Sequence, residues 1–567
     1  MSPSIDLIVG CGGWSLPLLV LPYAFAGIGQ GRVLGFYTLA LVINYPHYMA
    51  TIYRAYRTRE DFERYRVVTL YSTLFFVTVL IAAHQVYELV PWLVTIYLTW
   101  SPFHYMGQNF GLMMMFVHRN ELKVNRRDRN ALWIAFIASY LLIFLRVHTN
   151  PSTDPFLISL GLPPSVLQVL RVPLTVVFLA GMIPLGRLFL QARAKRKCDS
   201  AQPQPWKPLL APLTLYFTQF LWAILPTALS FLKGFGVPQV AYSVSILAIM
   251  HCAQYLWITN YYARREANAE SAAWHWKTYF AVLVIGGAAL FIPGPWLASY
   301  GLGRDFGISV LIFTAVVNIH HFVLDGAIWK LRDTRIRSLL TTTDTMTINT
   351  PVQASWIPVG PPWRVMGAAA TALVVILVGV DQVRYYLGNR PNDIPSLAAA
   401  AAMNPHDSMM QMRLGWAYET AGDQVHMERA FRESIRANPE NLEGQNAVAK
   451  VLLEAGRYDE AYAHYKQMFS QLDPNAEALM NFGALCKQVN RHDEAITSFQ
   501  RVLIKLPDYA PAHLLLAQML DAEGKTSEAI SHYQKYIALI PNAPTQPAGQ
   551  EFQNAIARIR LLGGGER

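Results

Sequence analysis

Before about residue 385 the chain is a succession of apolar runs, each about as long as a bilayer crossing of about 20 residues. Their approximate limits are 7–27, 33–53, 67–84, 89–117, 131–148, 167–191, 209–232, 240–262, 278–299, 306–329 and 363–381. In lipid every backbone donor and acceptor must be satisfied internally, so such runs fold as packed helices. The expected fold class is all-α: a polytopic transmembrane helix bundle of about 11 spans over residues 1–385, then a soluble helical region. Pro46, Pro91, Pro102 and Pro226 interrupt the runs. Neighbouring helices tolerate such breaks when they satisfy the freed carbonyls.

Charge gives these runs a direction. Only 15% of residues are charged, against about a quarter in soluble chains. The net charge of +10 comes from basic clusters between apolar runs, such as Arg119 to Arg129, Arg193 to Lys197 and Lys330 to Arg337. This is the positive-inside pattern of membrane loops, and it argues for no nucleic-acid partner. Loops after odd-numbered spans, such as Gly27 to Gly31, are nearly uncharged. The even loops are then cytoplasmic, and everything after Asp381 is extracytoplasmic, on the outer side of an inner or plasma membrane. The first residues carry no basic cluster, which argues against a cleaved signal peptide. Cys11, Cys198, Cys252 and Cys486 show no CxxC spacing, so neither a disulfide framework nor a zinc knuckle follows.

Residues Asn318 to Trp329 place His320, His321 and Asp325 inside an apolar run. Ionisable groups at bilayer depth are costly and mark function. Three other runs carry His47, His104 and His251. With the topology above, all four runs point the same way and bring imidazole to one slab about 10 Å deep, at 1.5 Å per residue. His47, His104, His251, His320 and His321 are therefore candidate metal ligands, with at least one of the last two in the site. Each region also has a polar neighbour at helical spacing: Asn44, Gln108, Gln254 and Asp325. Residues three or four apart share a helix face, and ligating histidines usually pass their second N–H to such a partner. These four are the expected second shell. The competing reading is that the same side chains are interhelical glue. His84 is expected near the interface, and His118 and His275 in solvated loops. Tyr45, Tyr48, Tyr105, Tyr255 and Trp329 are expected to pack or to wall a lipid pocket.

Imidazole suits iron, copper and zinc, and the lack of clustered thiols argues against iron–sulfur. Non-haem iron acting on a membrane lipid or isoprenoid is the expected cofactor and substrate pairing, with haem b as the alternative. In its scattered helix-borne histidines the membrane region is similar to two kinds of His-rich membrane iron oxygenase. The desaturase and hydroxylase class carries HxxxH and HxxHH boxes, which are absent here. In bacterial carotene-cleaving dioxygenases a few helix-borne histidines hold one iron; no motif is shared with them.

After residue 385 the pattern changes. Gly422, Gly456, Asn490 and Gly524 recur every 34 residues, and Pro405, Pro439, Pro474, Pro507 and Pro541 every 33 to 35. Between them recur small and large apolar positions: Leu414-Gly415, Ala430-Phe431, Leu452, Ala461, Tyr465, Phe482-Gly483, Ala495, Phe499, Leu516-Ala517, Ala529 and Tyr533. This region resembles the tetratricopeptide repeat (TPR). The resemblance covers residues 395–541, inside a TPR domain of 392–567 that ends in a capping helix from Gln550 to Leu562. It implies an α-solenoid whose concave face binds a protein or peptide partner.

Three functions are compatible with these features. The first is a membrane metalloenzyme, an iron-dependent oxidoreductase (oxidase, oxygenase or desaturase) with a recruiting TPR module. The second is a non-enzymatic TPR-bearing scaffold of the cell envelope. The third, a lipid-linked glycosyltransferase, is disfavoured because the first external loop holds no acidic residue.

Overall fold

A computed structural model describes residues 3–15, 37–57, 59–149, 156–198, 204, 206–229, 247–269, 274–329, 334–341, 361–540 and 548–563. The loop from Gly27 to Gly31, linker residues 342–360 and Pro541 lie outside these. The chain divides into two compact units, Met1–Asn389 and Arg390–Arg567.

The first unit is helical. The helices that build its centre are α1 (Tyr45–Tyr56), α2 (Ser72–Gln85), α3 (Leu89–Arg119), α4 (Ala248–Ala269), α5 (Trp276–Phe291), α6 (Phe306–Ile328) and the short α7 (Thr334–Thr341). Helix α6 is central and packs on α1, α2, α3 and α5. Asp305 caps its start by accepting from the Ile308 N–H at 2.7 Å, which satisfies one of the orphan donors of a first turn. A π-helical turn, Ala40–Asn44, leads into α1, where Pro46 has no N–H to give to the ladder. Helix α5 approaches this start closely. A Cβ on Gly287 would lie 2.4 Å from the Tyr45 backbone, so only glycine fits, and that contact sets the height of His47 two residues on.

Among the described residues seven helices, not eleven, are long and apolar enough to cross a membrane: Arg59–Gln85, Arg126–His148, Pro164–Arg196, Lys207–Thr227, Trp276–Leu302, Phe306–Ile328 and Arg364–Gly388. The four expected runs outside this set are 7–27 and the three that carry His47, His104 and His251. Parts of 7–27, 33–53 and 240–262 lie outside the described residues. Helix α3 is complete at 31 residues, but Ser101, His104, Gln108 and Asn109 dilute its apolar character. The residues that make those runs interesting also make them less apolar.

Among the described residues the second unit has ten helices, packed largely in consecutive pairs, from Ile394–Met403 to Ala548–Leu561. Turn residues Gly422, Gly456, Asn490 and Gly524 all have positive φ, between 57° and 75°, where glycine carries no steric penalty. Within pairs, small residues admit rings. A Cβ on Gly483 would lie 2.6 Å from the Phe499 ring, and one on Gly415 would lie 2.3 Å from Phe431. Phe499, Tyr465, Ala461 and Ala495 are fully buried in a shared core. The helix Ile394–Met403 precedes the first full pair and is started by Asp393 accepting from the Ser396 N–H. The closing helix docks through Arg558, which donates to both carboxylate oxygens of Asp521 at 2.7 and 2.8 Å.

Candidate functional site

Four helices each bring one imidazole to a single point in the first unit. His47 (α1), His104 (α3), His251 (α4) and His321 (α6) each offer a nitrogen, and these four atoms lie within 4.8 Å of one another. The ring centroids of His47 and His321 are 4.2 Å apart, and His251 is 4.9 Å from both His47 and His104. His47 and His104 face each other across the group at 6.5 Å. His47, His251 and His321 are buried, and His104 is nearly so.

The hydrogen bonds of this group are incomplete. Both ring nitrogens of His47 and of His251, and Nε2 of His104 and of His321, are buried without a partner. An unsatisfied buried polar group costs about 1–3 kcal/mol, so six together rival the whole stability margin of a domain, about 5–15 kcal/mol. Each of the four imidazoles turns one nitrogen toward the other three, all within 4.8 Å, which makes the group a candidate binding site.

Asp325, one turn after His321 on α6, closes one side. Its Oδ1 accepts from Tyr255 Oη at 2.5 Å and from Thr51 Oγ1 at 2.9 Å. Its Oδ2 faces Nε2 of His321 at 3.7 Å and Nε2 of His104 at 3.8 Å. Thr51 Oγ1 also lies 3.0 Å from His321 Nδ1. Thr51 Oγ1 lies 2.5 Å from Tyr255 Oη as well. A threonine hydroxyl has one proton; when it is given to the Asp325 carboxylate, His321 Nδ1–H donates to Thr51 and the lone pair of His321 is on Nε2. That lone pair points at a carboxylate oxygen, acceptor toward acceptor, an arrangement that a cation between them would stabilise. Tyr255 Oη in turn accepts from Trp329 Nε1 at 2.8 Å.

The structure separates the sequence-expected residues. His320 turns away from the group: its Nε2 pairs with Thr73 Oγ1 at 3.0 Å and its ring packs on Phe76. Adjacent residues on a helix point about 100° apart, so His320 and His321 cannot both face one point. His84 also lies apart, its Nδ1–H donating to Leu80 O at 2.8 Å. Asn44 does not support His47; it accepts from Cys252 Sγ at 3.1 Å. Gln108 gives its amide to Gln254 Oε1 at 2.6 Å and to His251 O at 3.3 Å, and Gln254 donates to Gly10 O at 3.0 Å. These two amides tie backbones together beside the histidines and touch no imidazole nitrogen. Asp325 reaches His321 through Thr51 rather than directly, because 3.7 Å is too long for a hydrogen bond.

Two residues that matter most around the histidines were not in the expected second shell. Thr51 follows His47 by four and Tyr255 follows His251 by four. The helix-face spacing that picked out Gln108 and Asp325 applies equally to them.

The first unit thus defines a helical bundle with a buried histidine group, and the second a helical repeat. The sequence profile of the tetratricopeptide repeat family matches residues 452–519. The C-terminal region is a TPR array. Solved structures similar to it include YrrB, a TPR protein with an unusual peptide-binding site (15% identity over 30% of this chain and 85% of that one, TM-score 0.26). MamA (22%, 28% and 96%, TM-score 0.23) and PilW, a type IV pilus biogenesis factor (17%, 30% and 86%, TM-score 0.24), are also similar. No curated protein matches the chain.

Proposed function

We propose that this is an integral membrane metalloprotein in which His47, His104, His251 and His321 hold one metal ion, Asp325 lies beside it, and the TPR array recruits a protein partner. The observation that carries this reading is the convergence of four buried imidazoles whose ligand atoms lie within 4.8 Å of one another. Imidazole nitrogens bound to one ion at about 2.0–2.1 Å lie about 3.3 Å apart in a tetrahedral set and about 4.2 Å apart when opposite, so side-chain shifts of up to about 1 Å bring the set to bonding distance. Membrane insertion is supported by the seven apolar helices and by their exposed faces. Val67, Val169 and Ile376 are 70%, 69% and 62% exposed, and the apolar stretch Arg364–Gly388 is only 6% buried.

The donor set favours non-haem iron over haem b. A haem takes two axial ligands on opposite faces of a wide ring, and here the two further imidazoles occupy the space that ring needs. Four nitrogens and a carboxylate suit a mononuclear ion of the iron, copper or zinc kind, and the apolar walls around them suit iron acting on a lipid or isoprenoid. Such an ion supplies oxidative chemistry on a lipid or isoprenoid. The protein's own residues hold the ion, fix the lone pair of His321 through Thr51, and keep Asp325 in one orientation through Tyr255. Loop charge places the TPR array outside the cytoplasm.

Metal analysis and an optical spectrum of the detergent-purified protein test this reading. About one iron per chain without a Soret band is the expected result. A Soret band would replace it with haem, and absence of any metal would leave the second reading. In that reading the chain is an envelope scaffold and the histidines only pack; the TPR array, built for partner binding, favours it.

A further inference from the structure

A cavity of about 250 Å³ touches the histidine group on one side. His104 and Asp325 form part of its wall, as do Tyr255 and Gln108; the other lining residues are aromatic, aliphatic or glycine. On α3 the lining positions run from Trp100 to Met115, a rise of about 22 Å at 1.5 Å per residue. His104 lies one turn in from the Trp100 end. At the other end Ile336 and Leu340 of α7 complete the wall.

Three glycines make the cavity. Gly107 and Gly111, one turn apart on α3, and Gly326 on α6 all line it, and a Cβ on any of them would meet no atom within 4 Å. Unlike Gly287, they are not required by a close helix contact. A glycine inside a helix costs about 0.5–1 kcal/mol relative to alanine, so three of them around one space keep that space open at a cost in stability.

From this we infer that the cavity is the ligand chamber of the histidine site and takes a slim, neutral, long-chain apolar molecule lying along α3. The inference rests on reading the histidines as the metal centre only for what happens at His104, not for the chamber itself. Among the described residues no Lys or Arg lines the cavity, so a carboxylate or phosphate head there would meet no counter-charge from them, which is costly. The polar groups are grouped at His104, Gln108, Tyr255 and Asp325, so the segment of chain one turn in from the Trp100 end is the part presented to the site. Acyl and isoprenoid chains share this chemistry.

The test is binding of tritiated geranylgeraniol, oleyl alcohol and oleate to the detergent-purified full chain, with metal content measured on the same samples. Wild type should hold one or both neutral probes and bind oleate more weakly; which neutral probe binds tells isoprenoid from acyl. Gly107→Leu, Gly111→Leu and Gly326→Leu should each weaken binding roughly tenfold or more, because each displaced methylene is worth several-fold. Gly301→Leu, at a position with equal room but away from the cavity, should bind as wild type. Unchanged binding in variants on both walls, at Gly111 and at Gly326, overturns the chamber. If wild type lacks metal yet loses the probe with Gly111→Leu, the chamber stands and the metal reading falls. Metal retained with glycine-indifferent binding gives the reverse.

Discussion

Thr51 Oγ1 lies 3.0 Å from His321 Nδ1, although 270 residues separate them in sequence. The same hydroxyl donates to Asp325, so one side chain fixes both the tautomer of a candidate ligand and the carboxylate beside it. Outer partners of this kind are worth about 10–100-fold in metal affinity. Thr51→Val keeps the shape and removes the hydroxyl, and it should weaken metal binding by that amount in a chelator competition; Thr51→Ser should restore most of it. Tyr255→Phe removes the other donor to Asp325 and should act in the same range. Affinity unchanged in both Thr51→Val and Tyr255→Phe would show that the hydroxyls serve packing alone.

Alanine at His47, His104, His251 or His321 should each remove most of the metal, measured by elemental analysis of purified protein. His320→Ala and His84→Ala should keep it. His320→Ala loses its bond to Thr73, so a stability decrease of about 1 kcal/mol is expected, with metal content intact. Loss of metal in His320→Ala together with its retention in His321→Ala would reverse the assignment on α6.

Much of this arrangement was legible in the sequence, because helical spacing and apolar length are local properties. The TPR array could be read from its 34-residue period, since every repeat states the same small and large positions. The four histidines could be singled out because each stands in an apolar run. What could not be read is rotation about each helix axis. His320 and His321 have the same local setting, and only packing against α2 and α3 decides which turns inward. Asn44 and Thr51 are likewise both on the face of His47, at three before and four after; the arrival of His321 and Asp325 from α6 selects Thr51. Seven of the eleven expected runs are long, apolar helices among the described residues, and three of the other four lie partly outside those residues. Helix α3 is described in full; it exchanges apolar side chains for polar ones, so it falls short by composition while exceeding the length.

The TPR array has its own buried core, so a fragment from Arg390 onward should fold alone as a helical, cooperatively melting domain. Circular dichroism with thermal melting tests this, and a disordered fragment would refute it. Within it, Gly483→Ala places a Cβ 2.6 Å from the Phe499 ring and should cost about 1–3 kcal/mol through overpacking. Gly422→Ala has open space around it but φ of +75°; it should cost about 1 kcal/mol, from backbone strain alone.

A reporter fused C-terminal to the repeats tests their side of the membrane. On the proposed topology, which rests on loop charge, a reporter active only outside the cytoplasm should work there and a cytoplasm-only reporter should be silent. The opposite result would overturn the orientation while leaving the histidine site untouched, because the four imidazoles meet inside the bundle whichever way it faces.

The same fragment should lose stability as pH falls from about 7 to 5. His464 donates through Nε2 to Gln445 O at 3.0 Å. Burial holds its pKa below the ordinary histidine value, outweighing that hydrogen bond, and nearby Arg432 adds to the depression. His532 is depressed by burial and by its neighbour His513. His513 Nε2–H donates to Pro507 O, so its Nδ1 accepts from His532 Nδ1–H at 2.9 Å. The sign follows from the unfolded chain, whose histidines take up protons below about pH 6.5, while the folded ones resist. Stability is therefore fully present above about 6.5 and is lost as pH falls toward the folded values. Glu428 also has a depressed pKa: burial opposes the shift, and hydrogen bonds from Arg432 and Arg457 outweigh it. Its contribution is lost only below the ordinary glutamate value of about 4.3, so the two effects separate in pH. The double variant His464→Gln/His532→Gln keeps side-chain amides able to hydrogen-bond but cannot titrate. Its melting temperature should be flatter between pH 7 and 5 than that of the wild-type fragment, and both should fall together below about pH 4.3. Equal slopes above pH 5 would show that these two histidines do not set the acid sensitivity of the array.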